Sequence, residues 1–317
     1  MLFFEGLMRV RYQSHAPDAR GTPLGRDASR IYLYWASSRA VPESPMSRLP
    51  ATLLASIDAD KAALDAARPL SREVCLSLRA KLMPARAGGV NASTSGDDAP
   101  APSETQVVLE SLLTAEMSAR APADAARLGD AIRYAEDIVA QREPLCERQI
   151  RNLHRLVLKG QGEVRPYRQE NVAIAGAATH PPDFLDVPAA MSALIDWYGA
   201  AAALHPIARA AQLHTRFVGI HPFVDGNGRT ARLLLGLELM KAGYPPAAIR
   251  TKDRRAYYDA LDGACMRGDF GDITRVVAQA VQRALRLTLD LLGPRRADPF
   301  PNLPDGEPTC PLPLPPR

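Results

Sequence analysis

The chain has 317 residues, 46% of them hydrophobic, which is enough to bury one sizeable core and a smaller helical lobe. Its 39 basic and 35 acidic residues give a net charge of +4, and no basic run is interleaved with aromatic residues. Nucleic-acid binding is therefore not indicated. The sequence contains no run of about 18 uncharged apolar residues, so we expect no membrane span.

Two features indicate a cytoplasmic location. The apolar opening of the chain is short and is interrupted by Glu5 and Arg9, which makes it a poor signal peptide. The four cysteines lack the spacing of a metal site or a disulfide framework; they are Cys75, Cys146, Cys265 and Cys310. Scattered cysteines are typical of reduced thiols in the cytoplasm.

Helical patterns dominate the chain after a lead-in, residues 1–50, that is rich in Arg, Ser and Pro and is expected to be weakly ordered. Residues 53–81 indicate a helix with a break at Pro69, and residues 84–102 have the composition of a linker. Further helical patterns cover residues 106–117, 128–141, 145–160 and 187–204. The predicted fold class is all-α.

The most informative stretch begins at His221 and ends at Arg232, because it combines a base, a carboxylate, a glycine-rich turn and two arginines. From position 229 the chain reads RTARLLLGLELMKAG, a run of good helix formers that closes at Gly243 and precedes Pro245. We therefore expect this helix to begin near Asn227.

The turn and the start of this helix predict a phosphate site. Gly226 and Gly228 let the backbone approach a ligand closely, and the free amides of a first helical turn favour an anion. Arg229 and Arg232 are three residues apart, so both guanidinium groups lie on one face and can bind further phosphates.

Two more groups complete the predicted chemistry. Asp225 is suited to Mg²⁺, which usually binds nucleotides through one carboxylate, substrate phosphates and water. His221 precedes the turn and, with an ordinary pKa near ~6.5, can accept a proton at neutral pH. It is the candidate general base.

Residues 221–232 match the pattern H-x-F-x-[DE]-G-N-G-R-x-x-R at every position. This pattern resembles the signature of the Fic family. The resemblance implies an all-α, Fic-type helical bundle with a short β-hairpin flap, and an enzyme that transfers AMP from ATP to a Ser, Thr or Tyr hydroxyl of a target protein, releasing pyrophosphate.

The resemblance also implies a role for each motif residue. His221 would deprotonate the target hydroxyl, Asp225 would hold Mg²⁺, and Phe223 would be the buried residue that sets the loop. The ATP phosphates would be bound by the remaining motif positions, namely Gly226, Asn227, Gly228, Arg229 and Arg232.

The similarity extends on both sides of the motif. Upstream, residues 204–223 indicate a helix leading into the motif, with four buried candidates, Ile207, Ala211, Leu213 and Val218. Downstream, Tyr257 and Tyr258 are candidates for stacking on the adenine, although an ordinary helix face explains them equally well. Cys265 departs from the family, because many relatives have an asparagine there.

Residues 162–182, called the flap segment below, resemble the flap hairpin of Fic proteins. Val172, Ala173 and Ile174 alternate as in a short strand. An exposed strand edge can receive an extended peptide through main-chain hydrogen bonds, which would place a target hydroxyl beside His221. A purely structural hairpin is the alternative.

The sequence divides into four parts by these criteria. They are the lead-in 1–50, an N-terminal helical region 51–125 containing the linker 84–102, a Fic catalytic domain 126–292 and a Pro-rich tail 293–317. The tail ends PLPLPPR and is expected to be a disordered polyproline II segment rather than a ligand for a proline-recognising module.

Alternatives to the transferase remain open: removal of AMP by hydrolysis, and a nucleotide-binding regulatory pseudoenzyme. Gly228 disfavours kinase-like transfer, which occurs in relatives with lysine there. A homodimer is also left open. In many Fic enzymes a glutamate in a regulatory helix pairs with the last motif arginine. Gly96 stands where that glutamate is expected, which predicts an unclamped enzyme, and Glu116 is the alternative clamp.

Overall fold

In a computed structural model, the residues described are 45–70, 122–158, 165–174, 177, 179–245, 247, 249 and 253–292. They form eight α-helices: α1 Ala51–Ala67, α2 Pro122–Gln141, α3 Glu147–Val157, α4 Val187–Ala200, α5 Pro206–Ile220, α6 Asn227–Lys241, α7 Arg254–Arg267 and α8 Gly271–Leu292. Short 3₁₀ turns lie at Pro45–Arg48, Phe184–Asp186 and Ala201–Ala203. The predicted all-α class is confirmed.

The predicted helices agree with the observed ones where both can be compared. Helix α1 ends at Ala67, immediately before the break predicted at Pro69, and α6 begins at Asn227. Helices α2, α3 and α4 overlap the patterns at 128–141, 145–160 and 187–204. The lead-in to residue 44, the linker, the pattern at 106–117, Gly96, Glu116 and the tail lie outside the described residues.

The predicted flap hairpin was not observed as a hairpin. In the described part of the flap segment, Val172 alone makes a bridge pairing. Residues 162–164, 175–176 and 178 are outside the described part of the chain. The hairpin therefore stays a prediction.

Helices α5 and α6 lie at the centre of the molecule. Almost every side chain of α6 from residue 230 to 240 is buried, as expected for a helix that is apolar on all sides. One apolar cluster joins α5 and α6 to α2, α3 and α4, and a second joins them to α1 and α8. The connection between the two central helices, residues 221–226, is called the motif loop below.

A buried polar network fixes the far end of α6. Glu238 is 3% exposed and accepts a hydrogen bond from the Tyr198 hydroxyl at 2.6 Å, while Arg209 Nε lies 2.5 Å from its other oxygen. A buried carboxylate is tolerated when it is paired and hydrogen-bonded in this way. The network ties α4, the start of α5 and the carboxyl end of α6 together.

None of the described helices combines the length and the apolar character needed to cross a membrane.

Candidate active site

His221 ends helix α5 in the left-handed conformation, with φ 49° and ψ 57°. Its backbone N–H donates to the Phe217 carbonyl at 3.0 Å, which closes the helix. Helices often end with a left-handed residue, but glycine usually occupies that place because other side chains are strained there. The chain therefore turns sharply at the candidate base.

Hydrogen bonding determines which ring nitrogen of His221 can act as a base. Nδ1 lies 3.2 Å from the Val218 carbonyl, and because a carbonyl only accepts, Nδ1 carries the proton. The lone pair is then on Nε2. Burial lowers the pKa of His221 to about 4, so the ring is neutral at pH 7. The pKa is below the ordinary value assumed from the sequence, yet the ring can still accept a proton.

The Asn227 side chain closes the motif loop. Its Nδ2 donates to the Phe223 carbonyl at 2.8 Å, and its Oδ1 accepts from the Phe223 N–H at 3.0 Å. The amide thus pairs with both polar groups of one backbone residue, and it is 2% exposed. Asn227 has only its backbone amide left to offer a phosphate.

The first turn of α6 carries several groups that suit an anion. Gly226 caps the helix at φ 78°, and Thr230 N–H makes the first bond within the helix, to the Gly226 carbonyl. The amides of residues 227–229 therefore have no partner within the helix. Asp225 Oδ1 accepts from the Gly226 N–H at 2.6 Å, which leaves that amide engaged.

Both motif arginines lie at this turn. Arg229 Nη2 is 3.2 Å from Asp225 Oδ2. A Cβ placed on Gly228 would be 3.6 Å and 3.8 Å from the two terminal nitrogens of Arg232, so its guanidinium lies over the first turn. Two positive side chains and a positive helix end thus converge at one place.

Asp225 provides a donor of the kind that Mg²⁺ prefers. Its carboxylate is 49% exposed at the edge of the anion site. The described residues contain no group of three or more His, Cys, Asp or Glu side chains that could hold a metal ion. A single carboxylate fits a Mg²⁺ ion whose other ligands are phosphates and water.

The two candidate stacking residues occupy different environments on α7. The Tyr257 hydroxyl donates to Nε2 of His214 at 2.6 Å, and Nδ1 of the same ring donates to the Ala231 carbonyl at 3.0 Å. Tyr258 is 38% exposed, with the Arg254 guanidinium 5.6 Å from its ring centre. Tyr257 is therefore fixed to the core, and Tyr258 is the more accessible ring.

Cys265, at the position where the sequence departs from the family, faces the interior. Its thiol lies 3.9 Å from the Thr215 carbonyl, and burial raises its pKa to about 12. A thiol of this kind is not reactive at neutral pH.

The flap segment is attached to the core on both sides of Val172, Ala173 and Ile174. Of these three, Ala173 is exposed and its neighbours are partly buried. On the near side, Arg168 is 2% exposed and bonds to the motif loop. On the far side, the Thr179 hydroxyl donates to Asp262 Oδ1 on α7 at 2.9 Å.

Two residues of the site, His154 and Arg168, were missed by the sequence analysis. The ring of His154 stacks on Phe223 with centroids 3.5 Å apart and an interplanar angle of 6°. Its Nε2 donates to the Asp225 carbonyl at 2.8 Å. A signal was present, since buried residues recur on α3 at 150, 153, 154 and 157, which puts a histidine on an apolar face. The sequence around Arg168 shows no comparable periodic pattern that would single it out.

Residues 144–239 match the Fic/DOC family. This range covers α3 to α6 with the motif loop between the two central helices. The chain therefore contains a Fic/DOC-family domain.

Relatives with curated names support a more particular class. The chain is 37% identical over 166 residues to Protein adenylyltransferase Fic of Drosophila willistoni, covering 50% of this chain and 32% of that protein. It is 38% identical over 166 residues to the protein of the same name from Nematostella vectensis, covering 50% of this chain and 38% of that protein. The chain thus matches between 32% and 38% of the length of these relatives.

Solved structures share the fold. A Fic domain containing signaling protein from Bacteroides thetaiotaomicron has a TM-score of 0.52 at 23% identity, covering 76% of this chain and 95% of that one. A Fic family protein from Desulfovibrio desulfuricans also has a TM-score of 0.52, at 21% identity, covering 81% of this chain and 79% of that one.

Proposed function

We propose that this chain is a protein adenylyltransferase that transfers AMP from ATP to a Ser, Thr or Tyr hydroxyl of a target protein. The names of its curated relatives support the reaction class. The structural observation that supports it best concerns His221, whose N–H, carbonyl and Nδ1 are all engaged within the protein. Within the part of the chain that the structure describes, Nε2 is the one hydrogen-bonding atom of this residue left for a substrate.

The proposed reaction is an in-line displacement at the α-phosphorus of ATP. As the target oxygen attacks, its proton passes to Nε2 of His221. The new bond joins that oxygen to the α-phosphorus, the bond from the α-phosphorus to the bridging oxygen breaks, and pyrophosphate leaves. The imidazolium then gives its proton to solvent. Because His221 is neutral at pH 7, it is ready to accept a proton without prior ionisation.

The motif loop and the start of α6 would bind the triphosphate. The amides of residues 227 and 228 would contact the α-phosphate, and Arg229 and Arg232 the outer phosphates. Asp225 would hold a Mg²⁺ ion, which supplies charge neutralisation at the phosphates when bound. These charges would act from positions that the fold already fixes, which is the usual basis of electrostatic catalysis.

The remaining proposals concern the adenine, the target and the location. Tyr258 is the accessible ring for an adenine, and Tyr257 supports it from the core. The backbone of Val172, Ala173 and Ile174 would pair with an extended target segment. A cytoplasmic location is supported by free thiols in the described part of the chain, which fractionation of cells would test.

The test of the function uses two labels on the same nucleotide. The purified protein is incubated with a cell lysate, Mg²⁺ and ATP labelled at either the α- or the γ-phosphate. Relative to lysate without the protein, we expect additional protein-bound label from α-labelled ATP and none from γ-labelled ATP. Additional label from γ-labelled ATP alone would indicate phosphoryl transfer, and no additional label from α-labelled ATP would reject the proposal.

A further inference from the structure

Arg168 bonds to three separate pieces of backbone around the candidate base. Its Nε donates to the His221 carbonyl at 3.0 Å, its Nη1 to the Glu170 carbonyl at 2.9 Å, and its Nη2 to the Pro182 carbonyl at 2.5 Å. Its own backbone N–H donates to the Pro222 carbonyl at 2.9 Å. The flap segment and the motif loop are therefore joined through one buried side chain.

These bonds act on a residue whose backbone needs support. A left-handed conformation is uncommon for residues other than glycine and persists only where surrounding contacts hold it. Arg168 binds the carbonyls of both His221 and Pro222, so it fixes the orientation of the peptide that joins them. That orientation sets ψ of His221, and with it the direction of the imidazole relative to the first turn of α6.

The chemistry of the contact requires arginine in particular. Three carbonyls in different directions accept from the three nitrogens of one planar guanidinium, each of which donates in a fixed direction. A lysine ammonium keeps the charge, but it cannot place donors at these separations. Burial lowers the pKa of Arg168 to about 10, so the side chain still carries its charge at neutral pH.

We propose that Arg168 is a positioning residue that holds His221 in its left-handed conformation and couples it to the flap segment. Any displacement of the flap segment then moves the base, because the same guanidinium binds carbonyls at 170, 182 and 221. A target that pairs with residues 172–174 would meet a base already aligned to receive its proton. The consequence for catalysis depends on the proposed transferase function, whereas the effect on the His221 ring does not.

The kinetic test compares Arg168→Lys and Arg168→Met with the control Arg165→Met. Arg165 is an exposed arginine three positions earlier, and it donates to Gln169 within its own segment. We expect kcat for AMP transfer to fall about tenfold in R168K and further in R168M, with the Kd of ATP within about twofold of wild type. Arg165→Met should match wild type in both constants.

A second measurement does not depend on activity. In ¹⁵N-histidine-labelled wild type, the ring shifts of His221, assigned by their absence in His221→Ala, should report a single Nδ1–H tautomer. In R168K they should report a mixture of tautomers, and in Arg165→Met the wild-type state. If the wild type labels no protein, the proposed function fails while this spectrum still tests Arg168.

Two results would overturn the proposal. One is R168K with the wild-type kcat and an unchanged His221 spectrum. The other is a loss of rate in R168K that is matched by an equal loss of ATP affinity or of folded protein, the latter measured by thermal unfolding. Arg168 would then act only through overall stability. A kcat that falls alone, with the altered tautomer signal, supports it.

Discussion

The motif loop and the flap segment differ in how their own bonds hold them. The loop is closed from within by near neighbours in sequence, Asn227 with Phe223 and His221 with Phe217, and His154 and Arg168 support it from outside. The flap segment is instead held by contacts to distant elements, from Arg168 to the motif loop and from Thr179 to α7. Between those two attachments, the described residues 169–174 and 177 are half-buried or exposed.

This difference separates two tasks. A phosphate-binding turn must have its donors in place before the ligand arrives, because reorganisation during the reaction would cost catalysis. A surface that receives a target peptide can adapt, provided that its ends stay fixed. We therefore expect substitutions in the loop to act on chemistry and folding, and substitutions at residues 172–174 and at the Thr179 attachment of the flap segment to act on the target.

The largest effect is expected for His221→Ala. Transfer of AMP should fall about 10²–10⁴-fold, because only proton abstraction requires the imidazole. The Kd of ATP, measured by isothermal titration, should change little, since the anion site lies on α6. His180→Ala, which removes an exposed histidine of the flap segment, is the control and should transfer AMP at the wild-type rate. Equal losses of rate and ATP affinity in His221→Ala would contradict the role of His221 as the general base.

The next effect compares a buried asparagine of the motif with an exposed asparagine of the flap segment. Asn227→Ala should lower the free energy of unfolding by about 1–3 kcal/mol, because it leaves buried backbone groups at Phe223 unpaired. Asn171 in the flap segment makes three side-chain bonds, to Asp183, to Phe184 and, at 3.4 Å, to Arg168, but it is exposed. Asn171→Ala should therefore cost well under about 1 kcal/mol. Similar costs by urea denaturation would contradict the proposed difference between loop and flap.

A pH experiment tests the buried side of the loop through His154. Burial lowers its pKa to about 4, whereas the unfolded value is near ~6.5. As the pH falls below 6.5, His154 becomes protonated in the unfolded chain, whereas in the folded chain it stays neutral down to about pH 4. The free energy of unfolding should therefore decline in that window by about 1.4 kcal/mol per pH unit from this residue.

The matched variant for this experiment is His154→Phe, which keeps a ring against Phe223 and removes the titration. Its unfolding free energy should lose about 2 kcal/mol less than that of wild type between pH 7 and pH 5. Denaturant titrations at the two pH values measure the difference. Identical losses in the two proteins would show that His154 is protonated equally in both states.

The smallest effect is expected at the far attachment of the flap segment. Thr179→Val keeps the shape of the side chain and removes the hydroxyl bond to Asp262. The KM for the target protein should rise about threefold to tenfold, since one hydrogen bond is worth about 1 kcal/mol. The KM for ATP should stay at the wild-type value, and a rise in it instead would place this contact in nucleotide binding.

The sequence predicted the parts of the site that are contiguous. The helix beginning at Asn227 followed from an apolar run after two glycines, and the buried ring of Phe223 followed from the motif. Helical spacing puts His154 on an apolar face, but the bonding partners of His154 and Arg168 could not be predicted, because each donates to a backbone carbonyl far along the chain. Backbone carbonyls are present at every residue, so a sequence holds no mark of which one a distant side chain will bind.

Gly226 has a consequence for how this site can vary. A Cβ there would lie 3.3 Å from both His154 Cδ2 and Leu158 Cδ2, and its φ of 78° already strains any other residue. A change at 226 therefore forces the side chains at both 154 and 158 to move by a few tenths of an ångström, in addition to the strain of the positive φ. In a combinatorial library, variants that replace Gly226 alone should be lost. The variants that keep activity should carry Asn or Asp at 226 together with smaller side chains at 154 or 158.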